Sequence, residues 1–177
     1  DYDDDVPGFS EDMLPITLRF EDQPHLVPGM WCLLQPPGED SSSLVSCIIL
    51  KVATTGQHCD VRTIKGKKYE RIAITNVFQP RLDVGRRVEV RYQGRKLFFR
   101  GRIRGSVVEG GERLYQVLYD DGDEERKVPR ELIRICGADL PRFLADRSKF
   151  VANLDKRIQR SKHFHAMAKE RRKKWGK

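Results

Sequence analysis

VEVRYQGRKLFFRGRIRGSVVEGGERLYQVLYDDGDEE, residues 88–125, decides the fold. Val88, Val90 and Tyr92 alternate with Glu89 and Arg91, the period-two pattern of a half-buried strand. Gln93-Gly94-Arg95-Lys96 reads as a polar hairpin loop. In the next strand Phe99, Gly101 and Ile103 share one face, and Phe98, Arg100, Arg102 and Arg104 the other. A turn at Glu109-Gly110-Gly111 leads to a third strand, with Tyr115, Val117 and Tyr119 on one face. Asp120-Asp121-Gly122-Asp123 then turns the chain again. In an up-down-up meander the end of the first strand, the start of the second and the end of the third meet at one edge. Tyr92, Phe99 and Tyr119 occupy those places on the apolar faces, and Asp121 follows two residues on.

Three aromatic faces beside a carboxylate form a trap for a methylated ammonium. Each ring attracts a desolvated cation by about 0.5–2 kcal/mol, and methyl groups make that desolvation cheaper. Mono- and dimethyl-lysine keep an N–H to donate to Asp121, whereas trimethyl-lysine has none. The same aromatics would serve equally as a cap on the core, since Phe and Tyr are common in strands.

Residues 83–136 resemble a Tudor domain: VGRRVEVRY opens the segment, Phe98-Phe99 precedes Arg-Gly-Arg-Ile, and YQVLYDDGDE and VPRELIRI follow. The resemblance covers about a third of the chain and is nearest to Tudor domains of the DNA-damage checkpoint mediator type, which read methylated histone H4. It implies a methyl-lysine cage of Tyr92, Phe99, Tyr119 and Asp121, with Phe98 and Asp123 at its rim, and mono- or dimethyl-lysine twenty of the H4 tail as ligand. Asp123 departs from the pattern, which has a further aromatic there; the cage is expected to be more open and more acidic, counting against trimethyl-lysine. The large BAH-domain, coiled-coil-containing chromatin proteins are a further resemblance, carried by no single motif.

The preceding segment, 28–82, alternates in the same manner: Met30-Trp31-Cys32-Leu33-Leu34, an apolar run at 44–52, His58 to Ile64, and a last strand bearing Ile72 and Ile74. It carries no aromatic trio with an acid, and Trp31, alone at a strand start, is expected in the core. The fold expected is therefore mostly β, with two small SH3-like (Tudor) barrels in tandem, at 28–82 and 83–136. An acidic arm, 1–27, precedes them, in which 16–20 would add an edge strand. A basic amphipathic helix and tail, 137–177, follow. Asp139 is its expected N-cap, with Pro141 in the first turn. A stripe of Leu140, Phe143, Leu144, Phe150, Val151, Leu154 and Ile158 would pack it on a barrel, and residues 169–177 would fray.

Charge is unevenly placed. Residues 137–177 hold thirteen Lys or Arg against four acids, an excess larger than the +8 of the whole chain. Arg157, Arg160, Lys162, Arg171, Arg172, Lys173 and Lys174 could meet DNA or RNA phosphates, or merely keep the helix solvated. Arg86-Arg87, Arg91, Arg95-Lys96 and 100–104 add a basic flank opposite the cage aromatics. A methylarginine-binding or purely structural Tudor is a third reading.

Other chemistry finds little support. There is no phosphate loop, nucleophile elbow or His-Glu metal spacing, so no enzyme, cofactor or metal is expected. Cys32, Cys47, Cys59 and Cys136 lack CxxC spacing and fit a reducing cytosol or nucleus, of which the resemblance implies the nucleus. No apolar run approaches the about 18 residues of a membrane span. The start at Asp1 suggests a piece of a larger chromatin protein.

Overall fold

The computed structural model describes residues 8–22, 24–38, 44–137 and 144–176. Two antiparallel five-stranded sheets are followed by one long helix. The first sheet contains β1 (Trp31–Leu34), β2 (Val45–Val52), β3 (His58–Thr63), β4 (Lys68–Ala73) and β5 (Val77–Phe78), ordered β5-β1-β2-β3-β4. The second contains β6 (Arg87–Arg91), β7 (Phe98–Glu109), β8 (Glu112–Tyr119), β9 (Glu124–Pro129) and β10 (Ile133–Ile135), ordered β10-β6-β7-β8-β9. Neither closes into the expected barrel: the outermost strands of each sheet do not pair with one another. β5 and β10 are only two and three residues long, so each caps an edge and cannot reach round to the far one.

The two sheets repeat in register at an offset of 56 residues, or 54 along β2 and β7. Gly29 and Gly85, at φ 89° and 93°, donate to the carbonyls of Ile49 and Ile103, each at 2.8 Å. Thr63 and Tyr119 receive the same tight turn, closed by N–H bonds to Lys67 O and Asp123 O, each 2.8 Å, with Gly66 and Gly122 at φ 92° and 95°. A side chain at those φ values would be strained, which is why glycine stands at each. A 3₁₀ turn precedes the last strand in both, at Ile74–Asn76 and Arg130–Leu132. The shared register follows from shared alternation: Cys32, Cys47 and Val61 fill the first core where Val88, Gly101 and Val117 stand in the second.

The sheets meet through named side chains. The Arg134 guanidinium lies 3.6 Å from the Phe98 ring centroid and 5.1 Å from that of Trp31, and it pairs with Glu89 at 3.1 Å. The Trp31 and Phe98 rings stand edge to face at 6.0 Å. Trp31 is thus half-buried at this junction and absent from the first core, because its strand position faces β10's side of the molecule. Buried Arg130 donates to Pro80 O at 3.2 Å across the same junction, and burial pulls its guanidinium below the usual arginine range.

Two other expectations are corrected. Residues 16–20 form no strand: Ile16–Leu18 is a 3₁₀ turn, and only Phe20 bridges, to Pro80. Pro15 and the carbonyl-to-arginine bonds of Arg19 and Arg86 to Leu14 and Ile16 hold this segment curled. The helix, α1, spans Leu144–Trp175, and none of residues 147–176 is buried. Phe150 is 46% exposed, while Val151, Leu154 and Ile158 are half-buried, so the stripe is only partly covered. Asp139, Leu140, Pro141 and Phe143 lie outside the described residues. Arg147 ties the start of α1 to the arm, pairing with buried Glu11 and lying 5.4 Å from the Phe20 ring centroid. Among the described residues no helix is long and apolar enough to cross a membrane.

Candidate functional site

Tyr92, Phe99 and Tyr119 line one cavity of about 360 Å³, together with Asp121 and Asp123. Three short elements bring them together. β6 ends at Arg91, and Tyr92 opens a 3₁₀ turn whose next residues, Gln93 and Gly94, take φ 51° and 71°. Phe99 lies opposite Val90 in the β6–β7 ladder, and Tyr119 opposite Gly101 in the β7–β8 ladder. The Tyr92 ring stands nearly perpendicular to both neighbours, 5.3 Å from Tyr119 at 81° and 6.4 Å from Phe99 at 80°. Tyr119, 4% exposed, forms the inner wall, and Phe99, 45% exposed, the outer one.

Gly101 makes this arrangement possible. A Cβ there would lie 2.7 Å from Leu118 O, closer than real contacts allow, and a tight 3.2 Å from Tyr119 Cα. Without a side chain at 101, β8 approaches β7 closely where Tyr119 leaves the ladder.

The carboxylates come from the turn after β8. Asp121 is exposed, and its Oδ1 accepts the Asp123 N–H at 3.0 Å, which fixes the turn and leaves Oδ2 for a ligand. Asp120 also lines the cavity, and its N–H donates to Arg100 O at 3.1 Å.

Some of the site was not anticipated from the sequence. Arg95 and Arg100 contribute to the lining, although alternation places Arg100 on the far face. Phe98, expected at the rim, lies outside that lining and packs at the inter-sheet junction instead. The principal omission is Glu125. Its Oε1 accepts the Tyr119 hydroxyl in a short hydrogen bond and also the Gln93 N–H at 3.3 Å, bracing two of the cage elements. Burial, the hydrogen bond to Glu125 and the nearby charges of Glu125 and Asp121 hold the Tyr119 phenol well above the usual tyrosine range. The signal was available: Glu125 pairs with Val117, and cross-strand partners share a face, so this carboxylate belongs to the aromatic side of the sheet.

The repeat identifies what the first sheet has at the same places. Pro36, Val45, Thr63 and Lys65 stand where the second has Tyr92, Phe99, Tyr119 and Asp121. No aromatic ring and no acid stand at those four places. The basic residues expected to meet nucleic acid, Arg157, Arg160, Lys162, Arg171, Arg172, Lys173 and Lys174, are all exposed on α1, remote in sequence from the cage and outside its lining.

No family model matches the chain, and no curated protein is significantly similar to it.

Proposed function

We propose that the chain is a histone methyl-lysine reader, a tandem Tudor module in which the second sheet binds and the first braces. One observation carries this reading: three aromatic walls, Tyr92 nearly perpendicular to each of the other two, share one open cavity with an aspartate that has a spare oxygen. Where aromatic faces border one cavity, a cation held there is attracted by the negative face of each. Asp121 then distinguishes methylation states. A mono- or dimethylammonium donates its N–H to Oδ2, a charged hydrogen bond contributing about 1.5–3 kcal/mol, whereas a trimethylammonium cannot. Asp120 and Asp123 add negative potential suited to a basic tail. The H4 tail methylated at lysine twenty is the proposed ligand, chosen on the resemblance of 83–136 to checkpoint-type Tudor domains. Nuclear residence, as part of a larger chromatin regulator, follows from that ligand.

The test is calorimetric titration of an H4-tail peptide in its un-, mono-, di- and trimethyl forms, with wild type and Asp121→Ala. A preference of about tenfold or more for the mono- or dimethyl form is expected over the unmodified one, supplied by the rings, and over the trimethyl one, the latter lost in Asp121→Ala. Equal heats from all four peptides would refute the reading and leave the aromatics as a cap on the core.

A further inference from the structure

The charge of α1 is organised in a way that the cage does not use. Lys149, Lys156, Arg160, Arg171 and Lys174 are separated by seven, four, eleven and three residues. At about 3.6 residues per turn each separation is close to a whole number of turns, so the five form one ladder. Asn153, His163 and Met167 fill its intervening positions, and no ladder position carries a carboxylate. All these side chains are exposed. The half-buried row Arg147, Val151, Leu154 and Ile158 is offset from the ladder by two residues, about 200° round the helix. The covered side and the cationic side of α1 are therefore opposed. From Lys149 to Lys174 the ladder runs about 37 Å, at about 1.5 Å per residue.

We infer that this face of α1 is a docking surface for the phosphate backbone of duplex DNA. Charge complementarity points to the occupant: α1 holds eleven Lys or Arg against three acids, and a rigid row of cations matches a regularly spaced row of phosphates. A single strand would need rings on which bases stack, and the ladder offers none but His163. A lipid surface would need a continuous exposed apolar strip. Phe150, Phe164 and Trp175 are exposed but stand fourteen and eleven residues apart, one ring in three or four turns. Such a contact is sequence-independent, and it does not depend on the methyl-lysine reading.

Two charge-matched variants of the full chain test it. Lys156→Gln/Arg160→Gln/Arg171→Gln removes three ladder cations. Lys162→Gln/Lys169→Gln/Lys173→Gln removes three from the opposing side of the same helix. Each is titrated by fluorescence anisotropy against a labelled duplex, the matching single strand and anionic phosphatidylserine vesicles, over a salt series, with circular dichroism to verify helicity. For wild type and duplex, five contacts predict a log–log salt slope near −4.5, a loss of about 10²–10³-fold between 50 and 200 mM salt. The ladder variant should flatten that slope by about three, and the opposing variant by less than about one. Equal flattening in both variants, absence of duplex binding at 50 mM salt, or tighter binding of wild type to single strand or vesicles would each overturn the inference.

Discussion

Glu125→Ala should weaken both the fold and the cage, because one carboxylate oxygen serves two of the site's elements. In the wild type Oε1 accepts from the Tyr119 hydroxyl and the Gln93 N–H. Tyr119 is 4% exposed, so its hydroxyl would find no ready replacement acceptor, whereas the Gln93 N–H is exposed and would turn to water. A hydrogen bond to a charged acceptor contributes about 1.5–3 kcal/mol. With the Gln93 bond discounted, the expected loss is about 2 kcal/mol, or about 4–8 °C in Tm for a chain of this size. Urea denaturation measures it directly. Tyr119→Phe removes the donor, so adding it to Glu125→Ala should cost at least about 1 kcal/mol less than it does alone. Additive losses, to within about 0.3 kcal/mol, would refute the claim that this bond supports the fold. Calorimetry supplies the second arm: with the Tyr119 wall no longer held, affinity for a monomethyl-lysine peptide should fall about tenfold, the equivalent of about 1.4 kcal/mol.

Gly101→Ala forces a Cβ to within 2.7 Å of Leu118 O and should destabilise the chain by about 1–3 kcal/mol in a urea melt. Arg134→Ala removes the cation between Trp31 and Phe98; in a Trp175→Phe background the remaining Trp31 emission should shift to the red, while peptide affinity stays within about threefold, since the junction lies outside the cage. Stability should also decline in alkali. Burial pushes the Cys32 thiol from 9.0 to about 12 and raises Cys47 and Cys59 too. The unfolded thiols therefore ionise first, the unfolded state binds fewer protons, and stability falls as pH rises above 9.0 by up to about 1.4 kcal/mol per pH unit per thiol. Melting curves at successive alkaline pH values measure this, and Cys32→Ala should reduce the slope.

What the sequence disclosed was local. Val88, Val90, Ile103, Val117 and Tyr119 advertise their strands by alternation, and the turn glycines mark where each strand ends. The same period-two logic put Tyr92, Phe99 and Tyr119 at one edge, because a meander leaves little freedom over which ends meet. Sheet closure was not legible, since it depends on how far β5 and β10 extend after their 3₁₀ turns. Nor was the junction: Trp31, Phe98 and Arg134 come from strands far apart in sequence, and no periodicity links residues that meet only when two sheets pack. Arg100 shows the limit of alternation, which sorts side chains but not backbone: its carbonyl accepts the Asp120 N–H beside the cavity whichever way its side chain points. The α1 stripe at Phe150, Val151, Leu154 and Ile158 was legible as a stripe, but not how much of it would be covered.

The 56-residue repeat has a consequence for valency. Two copies of one sheet could have held two ligands, and binding would then gain from local concentration: a tail released by one copy would be recaptured by the other. Pro36, Val45, Thr63 and Lys65 remove that option, leaving one aromatic-and-acid cavity in the two described sheets. On the proposed reading, a single cage has no recapture, so dwell time on a tail would be the lifetime of one cation in one open pocket. Longer residence must be supplied by a second contact of another kind or by a second chain. A module of the proposed kind would sample marks quickly and hold only where a further interaction coincides.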